Sequence, residues 1–249
     1  MSHWLAGSTG FFHYGMGEDW DATIAMLNEE LAGISEPAER GRLVSIRGYF
    51  LTARGENVAD LLATVSELRV NETEPWARAG LESSLGDIAL VRNDPAQAWE
   101  AFIRSSEVFR SFGAVVLPWA VRAGVWARDV ERARTAVQLL DELPDSSPTV
   151  EADRATAHAA LDAAEGRTDA ALAGFRTALA RLGALGFTWD QARAYLDAVI
   201  LLPHDPEVLA WAEQARAIFT SLGAKPYLAI LDRELAAAPM DKTATTATA

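Results

Sequence analysis

The chain of 249 residues contains no cysteine. That removes a disulfide framework and any thiolate metal site. Lysine is nearly absent: Lys225 and Lys242 are the only two among 22 basic residues, and the arginines are scattered rather than clustered. Net charge is -13 and the pI about 4.7. A duplex-binding face needs clustered cations to displace counterions, so nucleic acid is not an expected partner. No apolar run approaches the ~20 residues that span a bilayer. The opening M-S-H-W-L-A-G-S-T-G lacks a basic n-region and an unbroken apolar core. A soluble cytoplasmic protein with no membrane partner is therefore expected. No segment alternates as a half-buried strand would.

Catalytic patterns are missing as well. The histidines, His3, His13, His158 and His204, form no H-E-x-x-H or other i, i+4 ligand pair. G-S-T-G at 7–10 lacks the lysine and preceding strand of a phosphate loop, and no G-x-S-x-G occurs. Carboxylate pairs such as Glu29-Glu30 and Asp141/Glu142 read as solvated helix faces or ends. Glu131, Arg132 and Arg134 read as an exposed face with local ion pairs. The expectation is a non-enzyme without metal or cofactor. His158, set among alanines, is expected to be packed or half-buried.

What the chain does contain is most legible between Ala155 and Gly186. Ala155, Ala159, Ala160 and Ala163 recur at helical spacing, as do Ala171, Phe175, Ala178 and Leu182 after a break at Glu165-Gly166-Arg167. Alanine on facing stripes lets two helices approach closely. Such a hairpin cannot bury its own apolar face and needs neighbours of its kind. The counterparts of Ala171 are Ala22, Asp60, Ala98, Ala133 and Val208, at intervals of 38, 38, 35, 38 and 37 residues. At the Phe175 place stand Met26, Thr64, Phe102, Val137 and Ala212, and at the break Gly17, Gly55, Asn93, Arg128 and Pro203. Gly10, Gly48 and Gly86 lie 38 apart in the first helices, where close approach of the paired helix would justify them.

The pattern predicts thirteen helices, near 3–15, 18–34, 39–53, 57–70, 76–91, 95–112, 117–127, 129–142, 149–164, 168–183, 188–201, 206–221 and 226–237. Three second helices close alike, F-R-S-F-G at 109–113, L-G-A-L-G at 182–186 and F-T-S-L-G at 219–223, each with a glycine suited to a left-handed terminus. Pro37, Pro75, Pro144, Pro148, Pro203 and Pro226 are expected in turns. Asp94-Pro95 and Asp205-Pro206 read as cap-then-proline starts, and Pro118 is expected to open its helix. The fold class is all-α: a right-handed α-solenoid of about six antiparallel hairpins plus a C-terminal capping helix. It forms one domain over 1–237, with a disordered tail over 238–249.

Paired helices at this period, with small residues at fixed phases, resemble the tetratricopeptide repeat. Gly10, Gly48, Gly86 and Ala159 match that family's small residue in the first helix. Ala22, Ala98, Ala133 and Ala171 match the alanine in the second, and Phe102 and Phe175 the aromatic one turn on. The periods mostly exceed the family's 34 residues, and the proline that closes each repeat is mostly missing. The end of the chain, A-R-A-I-F-T-S-L-G-A-K-P-Y-L-A-I-L-D-R-E-L from Ala215 to Leu235, is similar to the close of helical regions in large bacterial regulators that carry a nucleotide cyclase or a STAND-type ATPase upstream. Neither catalytic part is present, so this resemblance implies a sensing or scaffolding module.

In the repeat family, first helices line a concave groove. By that resemblance the groove residues here are Trp4, Phe11, Tyr14, Arg42, Tyr49, Asp87, Arg122 and Trp126. Aromatics mixed with arginine suit capture of a peptide by apolar contact and bidentate carboxylate recognition; the alternative for these side chains is inter-repeat core. The leading expectation is a scaffold that binds a protein or peptide segment in the groove. The second is an effector domain closing around a small molecule. An open channel with exposed aromatics favours the first, a closed pocket with a few convergent polar groups the second. The first helix carries Trp4, Leu5, Phe11, Phe12 and Tyr14 with no acidic, lysine or arginine residue. It is expected to leave apolar surface exposed, for self-association or an upstream domain.

Overall fold

The computed structural model describes residues 3–237, with the side chains of His3 and Trp4 outside the description. The expected tail, 238–249, lies outside the described residues. Thirteen α-helices and no strand occur among those residues. They are α1 (His3–Met16), α2 (Trp20–Gly33), α3 (Pro37–Arg54), α4 (Val58–Asn71), α5 (Pro75–Val91), α6 (Pro95–Val108) and α7 (Gly113–Trp126). Then come α8 (Val130–Asp141), α9 (Pro148–Ala164), α10 (Thr168–Leu185), α11 (Thr188–Leu201), α12 (Pro206–Leu222) and α13 (Lys225–Ala237).

Each odd-numbered helix packs on the even one after it, and each even helix packs on the next odd one. The chain is thus an all-α, solenoid-like helical repeat. Small residues set the distance inside the hairpins. Gly10 faces Ile46 and Leu27, Gly48 faces the Leu61 methyls, and a Cβ at Gly86 would collide with the Phe102 ring. A fourth glycine, Gly124, continues the same 38-residue spacing, and a Cβ there would stand 2.7 Å from the backbone nitrogen of Ala133.

The hairpin breaks share one backbone device. Gly17, Gly55, Asn93, Arg128 and Gly166 all have positive φ, between 55° and 79°. In the first two hairpins a second left-handed residue follows, Asp19 or Asn57, before the next helix begins. That extra residue corrects the expected register. Ala22 and Asp60 are exposed, and the buried stripe runs one place later, through Thr23 and Leu27 in α2 and Leu61 and Val65 in α4. Ala98, Ala133, Ala171 and Val208 are buried as expected.

Helix starts follow local chemistry. Asp94, Asp129 and Asp205 cap α6, α8 and α12 through their side chains, and Glu36 caps α3. Pro37, Pro75 and Pro148, expected in turns, instead open α3, α5 and α9, where a missing N–H costs nothing. Pro226 is the second residue of α13. Gly186 and Gly223 end their helices left-handed, at φ 75° and 69°. Gly113 does not: at φ -55° it is right-handed and opens α7. A 3₁₀ turn at Arg110–Phe112 makes the corner, so α7 starts four residues early and Pro118 lies inside it.

The odd helices form the inner layer, and that layer closes. Besides their sequential neighbours, α1 packs against α11, α3 against α13, and α7 against α11. Arg54 of α3 donates to the carbonyl oxygen of Leu222, 3.1 Å away, fastening the end of α12 to the start of the chain. The first helix is therefore not an uncovered end. Ala6 and Tyr14 are buried, Phe11 is half-buried, and among the described large apolar side chains of this helix Leu5 and Phe12 remain exposed, at 47% and 56%. No helix among the described residues is long and apolar enough to cross a membrane.

Candidate functional site

Closure brings aromatic rings from distant helices to the centre. Tyr14 of α1 lies 5.6 Å from Trp20, 5.5 Å from Tyr49, 5.3 Å from Phe50 and 5.5 Å from Trp189 of α11, ring centre to ring centre. Trp189 also meets Trp20 at 5.0 Å and Tyr227 of α13 at 4.8 Å. Edge-to-face and tilted pairs dominate, as the ring quadrupole favours.

Charged groups share this interior. Arg122 of α7 makes a bidentate pair with Asp197 of α11, Nε to Oδ1 at 2.9 Å and Nη2 to Oδ2 at 2.8 Å, and both side chains are buried. Trp126 Nε1 donates to the same Oδ1 at 2.8 Å. Arg193, one turn before Asp197, pairs with Asp190 and stands over three rings: Trp119 at 5.2 Å, Trp189 at 5.6 Å and Tyr14 at 5.8 Å. Asp87 of α5 is buried, and neither of its carboxylate oxygens has a hydrogen-bond partner. Burial pushes its carboxyl up to about 7, and Arg193 and Arg122 pull only partly against that. Tyr14 Oη, Trp189 Nε1 and Arg193 Nε are likewise buried without partners. Burial, then the Asp87 charge, raises the Tyr14 phenol well above its ordinary range.

The groove residues expected from the sequence are mostly inside this centre. Tyr14, Tyr49, Asp87 and Arg122 are buried, with Tyr49 hydrogen-bonded to Ser83 Oγ at 2.5 Å. Trp126 is half-buried on Asp197, and Arg42 is held by Glu39 at 2.7 Å. Phe11 is half-buried, and the Trp4 side chain lies outside the described residues. Tyr14, Tyr49, Asp87 and Arg122 are thus packed within the concave side, while Phe11, Arg42 and Tyr49 also border a cavity beside it.

Beside the filled centre lie two cavities that meet at Phe11, Phe12 and Val115. One, about 240 Å³, lies between α1, α7, α9 and α11 and is walled by Phe11, Trp119, Phe187, Asp153, Asp190 and Arg193. The other, about 330 Å³ and largely apolar, lies between α1, α3, α5 and the start of α7; Ile46, Trp76, Phe109 and Phe112 line it, with Arg42 at one side. A third hollow, about 580 Å³, lies on the outer side between α4 and α6. Its Arg69 and Arg104 are both held by the buried carboxylate of Glu82.

Sequence reasoning missed Asp153, Asp190, Arg193 and Asp197. Their signal is a stripe: Trp189, Arg193 and Asp197 follow one another at i, i+4 and i+8 on α11. His158, expected to be packed or half-buried, is exposed and bonds Asp141 at 3.1 Å. The fold and its centre define the class: an all-α helical-repeat protein whose inner helices close on a charged aromatic cluster. No protein-family model matches the chain, and no curated protein matches it.

Proposed function

We propose that this chain is a helical-repeat sensing module that binds a small molecule in the cavities on either side of Phe11 and Phe12. One observation carries the reading. The concave side is filled by the protein's own rings and ion pairs, which leaves compact cavities instead of a channel. Extended peptide capture along that side loses its surface, because Tyr14, Tyr49, Asp87 and Arg122 are already engaged or covered. The likeness of 155–186 to the tetratricopeptide repeat supports a binding role for the inner helices. The likeness of Ala215–Leu235 to the close of bacterial cyclase and STAND-type regulators supports a sensing one. Small-ligand sites are concave and mostly apolar, with a few polar groups that fix orientation, and the pair of cavities fits that description.

The test is native mass spectrometry of the protein purified from its host, beside a Val115→Trp variant that fills the shared wall. The expected result is a small-molecule adduct on wild type that the variant lacks. A partner protein retained equally by both, with no adduct on either, overturns the reading.

A second reading has its own observation. Leu5 and Phe12 expose apolar surface on α1, which suits contact with a protein or a second copy of the chain. Light scattering that shows association of wild type and its loss in Leu5→Glu/Phe12→Glu would favour it. A wild type that stays monomeric at high concentration removes self-association.

A further inference from the structure

The larger of the two cavities beside Phe11 and Phe12 deepens the binding reading, on which this step rests. We propose that it holds an uncharged, apolar molecule about the size of two fused aromatic rings.

Six rings border this space of about 330 Å³: Phe11 and Phe12 from α1, Tyr49 from α3, Trp76 from α5, and Phe109 and Phe112 from the corner before α7. Small residues on the same three helices, Gly7, Ser8, Ser45 and Gly80, keep it open. Gly7 also gives Arg42 its place, because a Cβ there would collide with the guanidinium.

The polar side chains of the wall are already satisfied, and this selects the ligand. Arg42 gives Nε and Nη2 to Glu39 Oε2, at 3.0 and 2.7 Å. Ser45 Oγ donates to the carbonyl oxygen of Gly41 at 2.9 Å, and Tyr49 Oη shares its hydrogen bond with Ser83 Oγ. Ser8 is not free either. No carboxylate lines the cavity among the described residues. An ammonium ion would therefore enter without an anion to meet, and a carboxylate would find Arg42 already neutralised by Glu39. Either charge would lose its water and gain no partner. A peptide segment fails for the same reason, since its N–H and C=O groups would be buried opposite spent partners. An apolar ligand has no such loss. Rings favour tilted and edge-to-face neighbours, and a six-ring wall offers them from several sides. Size follows from volume: a dry apolar cavity of about 150 Å³ holds benzene, so this one takes roughly two rings.

The probes are naphthalene, 2-naphthoate and 2-naphthylmethylammonium, one body in three charge states. Each is dialysed to equilibrium against wild type and variants, with circular dichroism confirming every fold. The two ions bracket the protein's net charge of -13, which attracts one and repels the other. Naphthalene should bind at least about tenfold tighter than either ion. Ser8→Trp, which places a ring inside the cavity, should weaken naphthalene by about tenfold or more. Thr149→Trp, in the wall of the smaller cavity, should leave it unchanged. Trp76→Ala removes a wall ring and should weaken it about threefold or more, a second check should Ser8→Trp fail to fold. Either ion binding as tightly as naphthalene overturns the uncharged assignment and leaves the small-molecule reading standing. Naphthalene binding unaltered in the folded variants of this cavity, or lost in Thr149→Trp instead, overturns the cavity as its site. No naphthalene binding up to its solubility overturns the proposal; the small-molecule reading falls with it only if the native mass spectrum also lacks an adduct.

Discussion

Arg122 and Asp197 show how much of this protein's interior is ionic. Removing one member of a buried pair leaves an uncompensated charge, at a cost of about 3–5 kcal/mol. Arg122→Ala should therefore lower the thermal midpoint sharply, whereas an exposed ligand-binding arginine would leave it unchanged; thermal melts of wild type and variant decide. Asp87 gives the opposite sign. Its folded carboxyl sits near 7, above an ordinary 3.8, so the folded state binds more protons than the unfolded one between these values. Stability from this group is fully present below the lower value and is lost as pH rises through about 7, at about 1.4 kcal/mol per pH unit at most. Asp87→Asn should accordingly raise the midpoint at pH 7.5 and lose that advantage towards pH 4. Paired melts across that range measure the difference; an equal midpoint at both ends would place Asp87 outside the interior.

The helices were legible because each is long, periodic and punctuated, and all thirteen lie close to where the pattern puts them. The register of α2 and α4 was not. Its one-residue slip comes from Asp19 and Asn57 adopting left-handed backbone, a conformation that polar residues take in some loops and not in others. The role of Gly113 was misread for a related reason: the motif F-R-S-F-G fits a helix end, yet packing against Leu117 and Leu143 uses the glycine for closeness instead. A pair of glycines separates these two uses. Gly166 has φ 79°, and a methyl group added there would meet nothing within 4 Å, so Gly166→Ala should cost about 1 kcal/mol for backbone strain alone. Gly33, helical and equally open, should be neutral or gain up to about 1 kcal/mol on the same change. Denaturant midpoints that moved together would deny that handedness matters at the break.

Closure belongs to the whole molecule and left no local trace in the sequence, since Tyr14 and Trp189 are 175 residues apart. The candidate site was half legible for that reason. The inner-helix aromatics were visible, but the partners that bury them were not. A linear repeat array couples each unit only to its neighbours. This one should couple its ends. Tyr14→Ala removes ring contacts to Trp20, Tyr49, Phe50 and Trp189 at once. Hydrogen exchange should then speed up in α11 and α13 while α8 stays protected. Equal protection of α11 in variant and wild type would mean that the ends meet without supporting each other.

The indoles of Trp20 and Trp189 carry the same closure into optics. Their centres are 5.0 Å apart and their planes cross at 70°. Two identical chromophores so near and so inclined share their excitation, and a skewed pair of this kind gives a two-signed circular dichroism band that an isolated indole lacks. Because one indole belongs to the first hairpin and the other to the sixth, that band reports whether the two ends of the chain are touching, in solution and without a label.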